Sequence, residues 1–190
     1  MPSTSLVSEF TSAKNYLVSP FSGVEWANPG NALTSNAAAT TSGGAPNVRT
    51  ELLGMRGLSG FTGIPDSATI SGIEIIIIMS TVSSQGSGNI TGYFNLVKAT
   101  DSRVGTEKTQ SVPVGSGGSY TIGASNDFWG TTWTVAEVKN SEFGVDVGFN
   151  YASGNYSVGV EQVYATIYYT YPDSTARRGV YSTVASLRTN

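Results

Sequence analysis

DFWGTTWT (Asp127–Thr134), the stretch Val135–Asn140 and FGVDVGF (Phe143–Phe149) together decide how this chain folds. Two of its three tryptophans, Trp129 and Trp133, stand four residues apart beside Gly130 and two threonines. Thr134 and Glu137 then match a capping box. The threonine hydroxyl can accept from the third amide of a helix while the glutamate reaches back to the cap amide. Asn140–Ser141 closes that helix after little more than a turn. Phe143–Phe149 alternates apolar residues with Gly and Asp at period 2, the pattern of a strand with one buried face. A tryptophan corner, one helical turn and a strand mark a β-rich structural domain.

Working outward, Thr69–Val82 holds Ile73, Ile75, Ile76, Ile77, Ile78 and Met79. Such β-branched density argues against a helix and predicts a strand buried on both faces. Ile64–Ile70 is the turn that feeds it, with Pro65 fixing φ and short polar side chains bonding back to the backbone. Gln85–Asn89 reads as a hairpin loop, after which Ile90–Lys98 pairs back. Val48–Leu53, Gly57–Phe61, Thr109–Val114 and Ser119–Ile122 are shorter strand signals. Tyr156–Tyr171 is the last strand, long and aromatic. Its apolar parity shifts at Glu161–Gln162, where a β-bulge would re-aim the side chains.

These elements predict an all-β chain: a β-sandwich, with jelly-roll topology an open option, one short helix and extended N- and C-terminal arms. Residues 1–47 are expected as an N-terminal arm and loop, partly packed through Phe10, Tyr16, Leu17, Phe21 and Trp26. Residues 48–172 form the sandwich. Residues 173–190 form a C-terminal arm carrying Arg177, Arg178 and Arg188. Ile75–Ile78 either sits centrally in the sandwich or presents one face to an oligomer interface, and both readings stay open.

Composition narrows the chemistry. Charged residues are only 12% of the chain, against about 25% in typical soluble domains. Its surface is therefore covered by Ser, Thr, Asn and Gly, as suits a protein packed in an assembly or held outside a cell. The net charge of −3 leaves no basic footprint for nucleic acid. Cysteine and histidine are both absent, which removes disulfides, thiolate nucleophiles, thiolate zinc sites and the commonest general base. No enzyme, cofactor or metal site is expected. Met1–Ser5 lacks the features of a secretory signal, and the run Ile75–Met79 is far too short to span a membrane.

The order of these segments resembles a β-sandwich module of tailed-phage virion proteins, of the capsid-decoration, head-fibre or tail-appendage type. The resemblance rests on Trp26–Pro29, on Phe61–Glu74 leading into the first long strand, and on the block Asp127–Thr134. The strand start Asn140–Val145 and the terminal Tyr169–Thr170 complete it, so that it covers roughly residues 24–171. It implies a virion location after synthesis in the host cytoplasm, with other virion proteins (the major capsid protein or a neck or tail protein) as partners. A homo-oligomer is expected, a trimer first. The resemblance implies no catalytic residues.

The leading expectation is thus a non-enzymatic structural protein that decorates or cements a capsid, or a neighbouring virion component, through its arms. The alternative is a receptor- or carbohydrate-binding module, with a host surface glycan as ligand. Its candidate ligand or interface residues are Trp129, Trp133, Asp127, Tyr168, Arg177 and Arg178. An exposed indole stacks on a sugar ring and an aspartate bonds its hydroxyls. The competing structural reading has the two tryptophans plug the end of the sandwich while Asp127 ties down the turn.

Overall fold

The computed structural model describes residues 3–16, 23–34, 37–43, 49–59, 63–80, 83–84, 89–115, 117–150 and 156–171. Its strands are β1 (Ser3–Tyr16), β2 (Ala39–Gly43), β3 (Leu52–Leu58), β4 (Thr69–Met79) and β5 (Ser83–Ser84). They continue with β6 (Asn89–Lys98), β7 (Ser102–Pro113), β8 (Gly118–Ala124), β9 (Gly144–Asn150) and β10 (Tyr156–Thr170). One helical turn, α1 (Val135–Val138), precedes β9. Every strand pairing is antiparallel.

The pairings make two sheets that share one strand. One runs β1-β10-β4-β8, with the short β2 and β5 added along β10; the other runs β7-β6-β9-β3-β1. Setting aside β2 and β5, eight long strands remain. The first, eighth, third and sixth lie side by side in one sheet, and the second, seventh, fourth and fifth in the other. That interleaving is the jelly roll, in which two Greek keys close on one core. β1 turns the corner between the sheets. Ser3–Glu9 pairs with β10, and Phe10–Tyr16 pairs with β3. At the corner Phe10 is buried, the Ser8 hydroxyl donates to the Ser59 carbonyl, and the Ser59 amide donates to the Glu9 carbonyl at 2.8 Å.

A stretch expected as part of an arm is therefore a strand of both sheets. Leu6, Ser8 and Phe10 turn inward while Ser5, Val7, Glu9 and Thr11 stay exposed, the alternation of a strand with one wet face, but the polar share makes the segment read as a loop. The C-terminal arm, with Arg177 and Arg178, lies outside the described residues.

Other expectations are corrected by the register. β3 runs unbroken through the Gly-containing middle that was expected to separate two strands. β6 does not pair back onto β4 across a hairpin; it crosses to the other sheet, between β7 and β9. Each edge of β4 is already taken, by β10 and β8. The isoleucine run is not buried on both faces: Ile73, Ile75 and Ile77 are fully buried, whereas Ile76 and Ile78 are half-exposed on the outer face. β9, expected to bury one face, is covered on both. The bulge in the last strand falls between Val160 and Gln162, at the predicted parity shift.

The alternation of β4 sets a direct comparison. Ile75→Ala should cost about 2–5 kcal/mol by opening a cavity in the core, and Ile76→Ala well under half as much. Equal losses in denaturant melts of the two variants would contradict this register.

Candidate functional site

The segment between β8 and α1 folds over one end of the sandwich because two indoles are anchored inside it. Trp129 is completely buried and Trp133 nearly so. Trp129 Nε1 donates to the Ile73 carbonyl of β4 at 2.9 Å, and Trp133 Nε1 donates to the Phe128 carbonyl at 3.0 Å. A buried indole N–H needs such a partner. The main chain is tied as well. The Thr106 amide of β7 donates to the Trp129 carbonyl at 2.7 Å, and the Ile73 amide to the Asp127 carbonyl at 3.0 Å. Trp133 also meets Phe143 edge to face, 5.4 Å between ring centroids.

Trp129 achieves this with a left-handed backbone, φ 57°. That conformation costs a bulky residue of order 1–3 kcal/mol and survives only where the surroundings over-determine it. Here they do. Gly105 leaves room for the Trp129 carbonyl, with which a Cβ would collide. The Asp127 carboxylate accepts the Trp129 amide at 2.8 Å and is ion-paired to Lys108 Nζ of β7 at 2.7 Å. The Lys108 ammonium lies 5.2 Å from the centroid of the Trp129 ring. After the corner, the predicted capping box is complete. Glu137 N donates to Thr134 Oγ1 at 3.2 Å and Thr134 N to Glu137 Oε2 at 2.8 Å. Lys98 links it to β6, donating to Glu137 Oε1 and to the Thr132 carbonyl, both at 2.8 Å.

With its neighbours turned inward, Phe128 is turned outward. It is 41% exposed, and only Val7 joins it as an exposed large apolar side chain among the described residues. Phe128 lines a shallow depression of about 680 Å³ with Ala124, Asn126, Asp127, Gly130, Thr131 and Thr132. This is an aromatic surface edged by an amide, two hydroxyls and a carboxylate.

The sequence-derived candidates separate accordingly. Trp129 and Trp133 are interior and offer no stacking platform. Asp127 is at the depression but is committed to Lys108 and to the turn. Tyr168 lies elsewhere, half-exposed on the outer face of β10, its hydroxyl 3.5 Å from Glu74 Oε2. Phe128 was not singled out in the sequence. The signal was its place beside two tryptophans that cannot all face the same way.

Three carboxylates in and after this corner are engaged. Asp127 holds Lys108, Glu137 closes the capping box, and Asp146 is buried against Arg56, with Arg56 Nη2 2.7 Å from Asp146 Oδ1. Arg56 also reaches Asp101 at 2.8 Å. Among the described residues no group of three or more acids is arranged to hold a metal ion, and no helix is long and apolar enough to cross a membrane.

No family model and no curated protein matches the sequence. Solved structures that the fold is similar to include a chain described under "CBM4 structure and function", at 9% identity and a TM-score of 0.40, covering 67% of this chain and 82% of that one. Another comes from a structural analysis of an exo-beta-agarase, at 10% identity and a TM-score of 0.36. It covers 83% of this chain but only 24% of the agarase chain.

Burial pushes the Asp127 carboxyl up, but the hydrogen bond from Lys108, the Trp129 amide and the charge of Lys108 together outweigh it and hold the group below its ordinary value. A carboxylate with a lowered folded-state pKa stabilises the fold above its unfolded value, and that contribution is lost as the pH falls through the folded value. The tryptophan corner should therefore loosen as the pH drops below about 4, read as a shift in indole fluorescence. Asp127→Asn should remove that acid-side transition; an unchanged profile would contradict the assignment.

Proposed function

We propose that this chain is a non-enzymatic recognition module that holds a carbohydrate against Phe128. The observation that carries this reading is the exposed phenyl ring in a depression edged by Asn126, Thr131 and Thr132. A pyranose has one face of C–H groups and a rim of hydroxyls. The ring takes the first by apolar contact, and the amide and hydroxyls take the second. Asp127 contributes by fixing the turn, with its carboxylate oxygens occupied by Lys108 and the Trp129 amide. Because the phenyl ring is held by the chain on either side, little ordering is needed when a sugar docks.

On a glycan array, the 190-residue protein should bind one class of oligosaccharide. Phe128→Ala should weaken that binding roughly tenfold or more, about 1.4 kcal/mol, with the melting temperature unchanged because the ring is outside the core. Retained binding in a folded Phe128→Ala variant would sink the proposal.

A second reading keeps the chain as a bacteriophage virion structural protein that cements a capsid or neighbouring component, as a homo-oligomer. What favours it is β1. Each half of this strand pairs on one side only among the described elements, and Val7 stands 60% exposed on it. An edge strand of this kind accepts a strand from another chain. In co-sedimentation with phage particles, Val7→Asp should reduce incorporation. Undiminished incorporation would count against this reading.

A further inference from the structure

The outer face of the β1-β10-β4-β8 sheet carries an apolar surface that the recognition site leaves unused. Register sets Tyr168 in one row across it, Val7 and Glu74 in the next, Glu9, Tyr164 and Ile76 in a third, and Ile78 in a fourth. Val7 is exposed, and Ile76, Ile78, Tyr164 and Tyr168 are half-exposed. The core is filled from the opposite side of β4, by Ile73, Ile75 and Ile77. A sheet with apolar side chains on both faces suits a fold in which a second layer covers the outer one.

Charge and area decide what that layer is. Ser3–Glu9 of β1 together with β10, β4 and β8 hold Glu9, Glu74 and Glu161 but no lysine or arginine. The donors that meet the first two are neutral. Gln162 Nε2 donates to Glu9 Oε1 at 3.1 Å, and the Tyr168 hydroxyl lies 3.5 Å from Glu74 Oε2. A second copy of this face would set carboxylates against carboxylates, which disfavours it as the occupant. Four rows about 7 Å apart on four strands about 4.8 Å apart span roughly 400 Å². That is half of the about 800 Å² that each side of a stable globular interface buries. One helix, about 10 Å wide and some 14 residues long, matches the footprint. We propose that this face receives a cationic amphipathic helix of a partner protein. Its apolar stripe covers Val7, Ile76, Tyr164 and Tyr168, and two Lys or Arg side chains meet Glu9 and Glu74. Those carboxylates stand two strands and one row apart, about 12 Å, so the cations are spaced about seven or eight residues along the helix. Apolar burial supplies most of the affinity, and the carboxylates select the sign of the partner's charge.

The probe is a helical peptide of about fifteen residues with a leucine stripe and two lysines about seven residues apart; its control has glutamates in place of the lysines. Titrated into the isotope-labelled 190-residue protein, the lysine peptide should shift the NMR signals of Val7, Ile76, Tyr164 and Tyr168 and leave those of Phe128, β3 and β9 in place. The glutamate peptide should bind roughly tenfold more weakly or worse, a difference that salt narrows by screening. Glu9→Lys with Glu74→Lys should reverse the preference, the glutamate peptide now binding the tighter. Both positions are outside the core, so the melting temperature of this variant should be unchanged. Shifts scattered over the whole surface, shifts confined to another face, or equal affinities for the two peptides would overturn the proposal. So would a dimer in sedimentation that Val7→Ser with Ile76→Ser dissociates, since this face would then belong to a second copy.

Discussion

The anchoring of Trp129 is the constraint on which the functional end of this molecule depends. Its indole N–H ends on β4 and its carbonyl takes an amide from β7, so one residue ties together strands of the two sheets. A left-handed backbone at a tryptophan is unfavourable. It persists because the alternatives would bury an unpaired indole N–H and main-chain groups, each costing about 1–3 kcal/mol. Everything displayed at that end follows from this choice. With Trp129 and Trp133 inside, Phe128 has only the outside left.

A second set of contacts keeps the scaffold rigid beneath it. Arg56, Asp146 and Asp101 join β3, β9 and the turn before β7, and two of the three side chains are almost wholly buried. Buried ion pairs of this kind are weak sources of net stability, but losing one partner strands the other charge in a low-dielectric interior. They tie β3, β9 and the turn before β7 to one another. Lys98 and Lys108 extend the same logic to the corner, each pairing a carboxylate while standing over an indole ring.

Features governed by near neighbours in the chain were legible in the sequence. The capping box of Thr134 and Glu137, the strand after Phe143 and the bulge at Glu161–Gln162 each follow from a few consecutive side chains and the periods of helix and strand. Features that depend on distant partners were misread. Ile75–Ile78 has the composition of a doubly buried strand, yet its outer face stays open because no layer covers that sheet among the described residues. Ile90–Lys98 follows β4 closely in sequence, but β10 and β8 had taken both edges of β4. Ser3–Tyr16 has the polar content of a loop, and only β10 and β3 on either side of its corner make it a strand.

The candidate site divides along the same line. The sequence by itself determined an all-β chain without histidine or cysteine chemistry, and gathered aromatic residues, threonines and an aspartate into one corner. Tertiary structure alone decided which aromatic faces solvent. That outcome depends on where the Ile73 carbonyl and the Thr106 amide lie in space, groups far from Trp129 along the chain. Local propensity carries no information about such partners, because hydrogen bonds between strands are set by topology and register rather than by neighbouring residues.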